Sequence, residues 1–334
     1  LGFAPVMDGE GGFIPDTPGN LRAREEFNQV PEMIGITQED AFLYLLAFGP
    51  EMAMRGPNRT EFQNLLSAMV YYFEDWIEDR DPEDIYQALD FYYSPWPHIH
   101  DPDMNRYQIG ALMTDIAFGM TADMQCRHHT EYADTYFYVY NFVSPNATIV
   151  PDFMGTPHML DVPYVWGFPF LRHNPEIQAQ TQINDIIGYV PIDDEYSYYM
   201  AEMWTNFAKY GNPTPSPVQP PSGMDPQSWP QFSNEQLNYF YIGNDTCEAR
   251  EDYRQHEFAF WREYMVWLVW GDEGFPGTPE EPDSEFRMPR FFPGQGPRPD
   301  TSDMTCFDDE GCSEDIRDIL NNMVSKYMEI LLDL

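Results

Sequence analysis

Residues 136–143, YFYVYNFV, carry aromatic or β-branched side chains at both odd and even positions. Alternate residues of a strand point to opposite faces, so a run apolar on both belongs to a sheet covered on both sides. Two further short runs, 33–37 (MIGIT) and 237–243, read as buried strands of the same kind. Helical patterns lie between and after them. Residues 63–79 carry Leu65, Leu66, Met69, Val70, Phe73 and Ile77 as one apolar stripe, and a second helix is predicted over about 109–124. A third is predicted to run from Asp193 as N-cap through Tyr210 to Gly211 as C-cap, and a fourth over about 250–270. Strands alternating with helices predict an α/β fold built on a mainly parallel sheet.

The segments outside this alternation differ in composition. The first thirty residues are rich in Gly, Pro and Asp and read as extended loop, and residues 213–230, PTPSPVQPPSGMDPQSWP, read as a proline-rich surface loop. Residues 271–312 are Pro, Gly and acid without periodicity, a linker or arm. Residues 313–334 form an amphipathic pattern with Ile316, Ile319, Leu320, Met323, Tyr327 and Ile330 on one face. This divides the chain into a domain over 1–270, an arm and a terminal helix.

Fifty-six acidic residues against 17 basic ones give a net charge of −39. Such a field repels phosphate backbones and anionic lipid, which excludes nucleic acid and acidic membrane surfaces as partners. Hydrophobic residues at 43% exclude disorder for most of the length. The aromatic load of 24 Phe, 22 Tyr and 8 Trp, with 19 Met, fits either a generous core or a deep pocket lined by flat, polarisable side chains. No apolar run is long enough to span a bilayer. The chain opens on Leu1 with no signal peptide, which leads us to expect a processed or trimmed chain.

Three acceptor sequons, at Asn58, Asn146 and Asn244, together with four cysteines, point to a secretory, oxidising compartment. Four cysteines allow three pairings. Cys306 and Cys312 bracket a short acidic loop and can close locally, which leaves Cys126 with Cys247. Neither their spacing nor any C-x-x-C indicates a thiolate metal site. His98 and His100, His128 and His129, and the acidic cluster 308–310 read as solvated groups, so no metal and no cofactor is expected.

One histidine needs a separate account. His158 sits in GTPHMLDVPYVWGFPF, between a Gly-Thr-Pro turn and an almost wholly apolar run. The ordered series FAPVMDGE, MIGITQEDA, YFYVYNF, GTPHMLDVPYVWG, MWTNFAKYGNP, SWPQF, YFYIG and FAFWREY, over about residues 3–270, resembles the carboxylesterase and cholinesterase family. DVPYVWG and WTNFAKYGNP are most similar to its neuroligin-like branch. The resemblance implies the C-terminal half of an α/β-hydrolase fold, with a Ser–acid–His triad in that chain order. It places the acid at Asp40 and the base at His158. The nucleophile belongs to an upstream G-x-S-x-G elbow that this chain lacks.

Several departures qualify what the resemblance implies. Asp40-Ala41 stands where the family has Glu-Gly, a side chain one methylene shorter but still able to accept the Nδ1–H bond. The family's last intradomain disulfide falls at Met120 and Phe258, both apolar here, with Cys126 and Cys247 as a replacement bridge. Neuroligin-like members without catalysis also keep this histidine. In the family, helices matching 63–79 and 250–270 build a dimer contact, which makes Phe258, Trp261, Met265 and Leu268 the expected dimer face. Three buried parallel strands would expose a long apolar edge, so an N-terminal companion chain or segment is expected to cover it. The function expected is that of a secreted, non-catalytic binding protein, homo- or hetero-oligomeric, holding a long apolar ligand such as a lipid, sterol or polyene pigment. The alternatives are a carboxylic-ester hydrolase whose serine lies in the missing half, and a structural subunit of an extracellular assembly.

Overall fold

The structure is a computed structural model that describes residues 7–9, 11–71, 81–146, 150–177, 188–221 and 223–270. Its sheet has four strands in the order β1-β2-β3-β4: Glu32–Thr37, Thr135–Asn141, Asn238–Gly243 and Cys247–Glu251. β1 pairs with β2 and β2 with β3, both parallel, with Ile36 opposite Val139 and Val139 opposite Tyr241. β4 returns antiparallel to β3. The sheet is therefore mixed but mainly parallel, as predicted, and β1 has no second neighbour among the described residues.

β4 is a strand the sequence did not reveal, and its last two residues fall in the helix predicted over 250–270. CEARE buries only Cys247, with Glu248 and Arg250 half-buried and Ala249 and Glu251 exposed, and its three charges hide it from a search for apolar runs. The helical segment begins only at Gln255, and a π-helical stretch, Phe260–Met265, interrupts it. Phe258, Trp261 and Met265 are buried and Leu268 is half-buried, while Tyr264 and Trp267 are exposed. The stripe expected to form a dimer face thus points inward. A π turn accommodates an extra residue, which moves the outward side onto Tyr264 and Trp267.

The strands supply two cores. Tyr136, Tyr140, Phe142, Phe240 and Ile242 face one side and pack against Tyr164, Tyr196, Tyr199, Met200 and Met203. Phe137, Val139 and Tyr239 face the other, against Ala122, Cys126 and Phe232. Each such fully buried side chain contributes about 1.5–3 kcal/mol relative to exposure. Tyr136, Tyr140, Tyr196, Tyr199, Phe142 and Phe240 are among the most completely buried residues, so much of the aromatic load fills the core. The proline-rich segment 213–230 is not a simple surface loop. Val218 and Trp229 are buried, and Trp229 stacks on Phe240 with ring centroids 5.1 Å apart.

The same two cores explain the thiols. Cys247 belongs to the first and Cys126 to the second, on opposite faces of the sheet, and both are free. The expected Cys126–Cys247 bridge is not formed, because the sheet lies between the two sulfurs. Cys306 and Cys312, with all of 271–334, lie outside the described residues. Beside Met120, one of the two positions of the family's own bridge, a Cβ on Gly119 would come within 2.7 Å of the Phe258 ring, so the aromatic side chain at the other position fills that space.

The long helix Pro191–Tyr210, with Val190 as its N-cap, starts three residues earlier than predicted. Proline occupies its first turn, where the missing N–H costs nothing, and Asp193 is the third helical residue rather than the cap. The fully buried Asp193 carboxylate accepts from the Val190 N–H at 2.6 Å, Ser144 Oγ at 2.9 Å and the Tyr164 hydroxyl at 2.8 Å. Gly211, at φ +67°, ends the helix as predicted.

The described chain separates into two compact units, one within 1–27, 47–106 and 264–334, the other comprising 28–46 and 107–263. The first contains α1 (Pro18–Ala23), α2 (Pro50–Arg55), α3 (Arg59–Tyr71) and α4 (Pro82–Tyr93). α1 was read as loop; Thr17 caps it by accepting the Asn20 N–H. α3 packs on α4, and Phe62, Leu66, Ile85 and Leu89 are fully buried, so the stripe begins at Phe62, one turn before Leu65. Phe73 and Ile77 lie outside the described residues. The second unit holds the sheet, the C-terminal part of α5 (Pro102–Thr114), and α6 (Met120–His129), which a π turn over Asp115–Gly119 joins to α5. This replaces the single helix predicted over 109–124. No helix among the described residues is long and apolar enough to cross a membrane.

Candidate active site

Two loops meet beyond the C-terminal ends of β1 and β2, where parallel sheets of this kind carry their reactive groups. The first leaves β1 at Thr37 and coils into 3-10 turns over Asp40–Phe48. Asp40 is 4% exposed. One of its oxygens, Oδ2, accepts the Thr37 N–H at 3.0 Å, and the Ala41 N–H donates to Thr114 Oγ1 at 3.0 Å. The second loop follows β2 and passes through Gly155, at φ +56°. A Cβ there would lie 2.5 Å from Glu39 Oε2, so this position needs glycine for both conformation and space.

The loops are tied to each other by backbone and side chain. The His158 N–H donates to the Asp40 carbonyl at 3.1 Å, and the Glu39 N–H to the Thr156 carbonyl at 3.3 Å. Glu39 Oε2 accepts from the Thr156 N–H at 3.0 Å and its hydroxyl at 2.7 Å. This arrangement brings His158 Nδ1 to 2.6 Å from Asp40 Oδ1. The shorter acid therefore reaches the ring. With Nδ1–H donated to the carboxylate, Nε2 keeps its lone pair, and among the described residues it has no hydrogen-bond partner.

The surroundings tune the pair. The imidazole lies beside Phe118, with ring centroids 5.0 Å apart, and Tyr44, at 6.3 Å, while its side chain stays 36% exposed. The hydrogen bond to Asp40 raises the His158 pKa above the ordinary histidine value; burial opposes the rise, and the charges of Asp40 and Asp161 add to it. Asp161 is itself pushed up by burial, partly offset by the hydrogen bond that the Tyr138 hydroxyl donates to it at 2.8 Å. A base of this kind, oriented by a buried acid and reachable from solvent, is equipped to take a proton from an attacking hydroxyl.

Asp40 and His158 are thus brought together. Glu39, Thr156 and Asp161 were missed, although Glu39 adjoins Asp40 and Thr156 and Asp161 flank His158 in the quoted stretches. The three sequon asparagines are all exposed. Asn58 Oδ1 accepts the N–H groups of Thr60 and Glu61 at the start of α3. Asn146 Nδ2 donates to the Gly188 carbonyl, and Asn244 clamps Val143, accepting its N–H at 3.0 Å and donating to its carbonyl at 2.7 Å. His129, read as solvated, is buried, with Nδ1 2.8 Å from Thr135 Oγ1, because α6 extends through it. Among the described residues no group of three His, Cys, Asp or Glu side chains converges as metal ligands.

Comparison with known proteins places the sequence in a family. The family profile described as "Carboxylesterase family" matches residues 1–261. Neuroligin-2 of Rattus norvegicus is 27% identical over 307 residues, covering 89% of this chain and 35% of the relative. Bile salt-activated lipase of Rattus norvegicus is 29% identical over 296 residues, covering 85% and 42%. Neuroligin-3 of Mus musculus is 26% identical over 280 residues, covering 80% and 32%. The chain thus spans less than half the length of each of these relatives.

Proposed function

This chain belongs to the carboxylesterase family, and from that premise we propose that it supplies the base and orienting acid of a serine-type carboxylic-ester hydrolase. The observation that carries this reading is the 2.6 Å contact between His158 Nδ1 and Asp40 Oδ1. His158 Nε2 takes the proton of a serine hydroxyl as that oxygen attacks the ester carbonyl, then returns it to the departing alkoxide. Asp40 holds the tautomer and stabilises the imidazolium formed between the two transfers. The serine and the oxyanion donors come from an N-terminal segment or companion chain that adds to the edge of β1, which has no second neighbour among the described residues. The exposed sequons support secretion into an oxidising compartment, where glycosylation and export occur together. The test is turnover of a short-chain p-nitrophenyl ester by the full-length protein. His158→Ala is expected to lower kcat/KM by about 10²–10⁴. Ester turnover that His158→Ala leaves unchanged, or no turnover at all, overturns the hydrolase reading.

A second reading, a non-catalytic binder of a long apolar ligand, has its own support in the Phe118 and Tyr44 rings beside His158. Under it the full-length protein retains a fluorescent fatty acid whether or not residue 158 is histidine, and hydrolyses nothing.

A further inference from the structure

β1 carries a glycine in its middle, and a glycine inside a strand marks a close approach. Gly35 pairs in register with Tyr138 of β2, and a Cβ on it would lie 2.2 Å from the Tyr138 ring. The ring therefore lies across β1, on ground that any other side chain would occupy. Edge contacts with Trp204 and Trp229, at 5.1 and 5.9 Å between centroids, hold it there.

Laid down in this way, Tyr138 brings its hydroxyl to 2.8 Å from Asp161 Oδ2. Burial keeps the phenol protonated, well above its ordinary range, so the hydroxyl donates and the carboxylate accepts.

Asp161 follows His158 by three residues, and the chain between them turns back. Met159 adopts left-handed backbone at φ +70°, the Leu160 N–H donates to the Pro157 carbonyl at 3.2 Å, and the Val162 N–H donates to the Met159 carbonyl at 3.2 Å. Non-glycine residues held in that region are strained, and such strain gathers at functional sites.

The turn leaves the carboxylate and the imidazole within each other's field. The hydrogen bond to Asp40 is the largest cause of the raised His158 pKa, and the Asp161 charge adds to it. Burial, with the Asp40 charge, raises Asp161, while the Tyr138 hydrogen bond and the His158 charge pull it back. Two carboxylates this near repel each other, so the one without a direct bond to the ring needs a donor of its own. The remaining titratable group beside the imidazole is Tyr44, whose phenol is kept neutral by burial and by the Asp40 charge.

Resting on the hydrolase reading, we propose that Asp161 and Tyr138 are positioning residues for the base: Tyr138 holds Asp161 as a carboxylate near His158, and that carboxylate stabilises the imidazolium formed between the two proton transfers. Asp40 fixes the tautomer through its bond at Nδ1, and Asp161 acts through space. Gly35 is part of the device, because its missing side chain lets the Tyr138 ring cross β1.

The test is proton NMR titration of the His158 ring in the full-length protein, its resonance assigned by its loss in His158→Ala. No substrate is needed. Asp161→Asn keeps an oxygen for the Tyr138 hydroxyl and removes the charge, so a merely structural Asp161 would leave the titration in place. The expected result is a His158 midpoint moved to lower pH. Tyr138→Phe should move it the same way, because Asp161 then takes up a proton or turns aside. With a short-chain p-nitrophenyl ester, both variants should lower kcat/KM by about two- to tenfold, with the inflection of the pH profile displaced in parallel. A His158 midpoint unchanged or raised in folded Asp161→Asn overturns the proposal, as does Tyr138→Phe that titrates like the unmodified protein. So does a displaced midpoint with kcat/KM unchanged in an active protein. Either variant decides if the other fails to fold. If the unmodified protein turns over no ester, the hydrolase reading falls, and the NMR titration still decides whether Asp161 acts on His158.

Discussion

A single oxygen of Glu39, the residue before Asp40, holds both the backbone N–H and the hydroxyl of Thr156, two residues before His158. Besides their own backbone and side-chain contacts, the two halves of the candidate dyad are therefore tied by a contact in which neither takes part. Thr156 is fully buried, so losing its hydroxyl leaves one acceptor position of Glu39 unfilled. Thr156→Val is expected to destabilise the protein by about 1–3 kcal/mol. If the hydrolase reading holds, it should lower kcat with little change in KM, and Thr156→Ser should restore both. Urea melts beside steady-state kinetics check this; a Thr156→Ser protein no better than Thr156→Val would show that the methyl, and not the hydroxyl, matters.

The raised pKa of His158 gives a pH prediction with a definite sign. A base must be neutral to act, so ester turnover should rise with pH through an inflection above the ordinary histidine value of about 6.5. Asp40→Asn removes the largest cause of the rise and should move the inflection down. For stability the sign is opposite. A histidine with a raised folded pKa contributes below its unfolded pKa, and that contribution is lost as pH rises through the folded value. The stability difference between the unmodified protein and His158→Ala should therefore be larger near pH 6 than near pH 9. The imidazole proton resonances followed through a titration report the same pKa directly.

Both described thiols should be inert while the protein is folded. Burial raises Cys126 well above the ordinary thiol range and Cys247 to about 12, so neither carries appreciable thiolate at neutral pH. Iodoacetamide at pH 7.5, with peptide mapping, should leave both unmodified until denaturant is added. Recovery of a peptide joining Cys126 to Cys247 would contradict the sheet's position between them.

The three sequons should differ in the cost of carrying a glycan. Asn58 uses only its carbonyl oxygen within the fold, whereas Asn244 uses both ends of its amide on Val143. Glycan at Asn58 is expected to be the most fully occupied, measured by mass spectrometry of the protein expressed in a secretory host. Asn244→Ala should cost about 0.5–1.5 kcal/mol per lost bond, beyond any effect of Asn58→Gln.

The comparison between sequence and structure follows from what each kind of residue can signal. β2 was legible because TYFYVYN is apolar on both faces, and Gly211 because a helix end needs its conformation. β4 was not, because an edge strand that carries charges resembles loops or helix starts in composition. Asp193 was placed on the right turn but given the wrong role, since a capping side chain and a third-residue carboxylate differ by a backbone angle that composition does not encode. His158 and Asp40 were found through the resemblance, while their distance needed the fold. Glu39 stood next to Asp40 throughout, but its partner Thr156 lies 117 positions away, and only the parallel pairing of β1 with β2 brings the two together. The stripe Phe258, Trp261, Met265 and Leu268 was expected as a dimer face, but the first three are buried, because the π turn over Phe260–Met265 shifts which residues face outward.

The two edges of the sheet differ in what they permit. β4 ends it with Glu248, Arg250 and Glu251, charges that discourage another strand from adding there. β1 carries Met33, Ile34 and Ile36 and leaves its outer row of N–H and C=O groups without a strand among the described residues. Extension of this sheet is therefore directional: a strand can be added beyond β1 and is resisted beyond β4. Copies of the chain would meet at β1 if nothing else did, and each brings a charge of −39 to that encounter. Mutual repulsion at low salt would then oppose pairing at the edge that no described strand covers, and high salt would weaken that opposition.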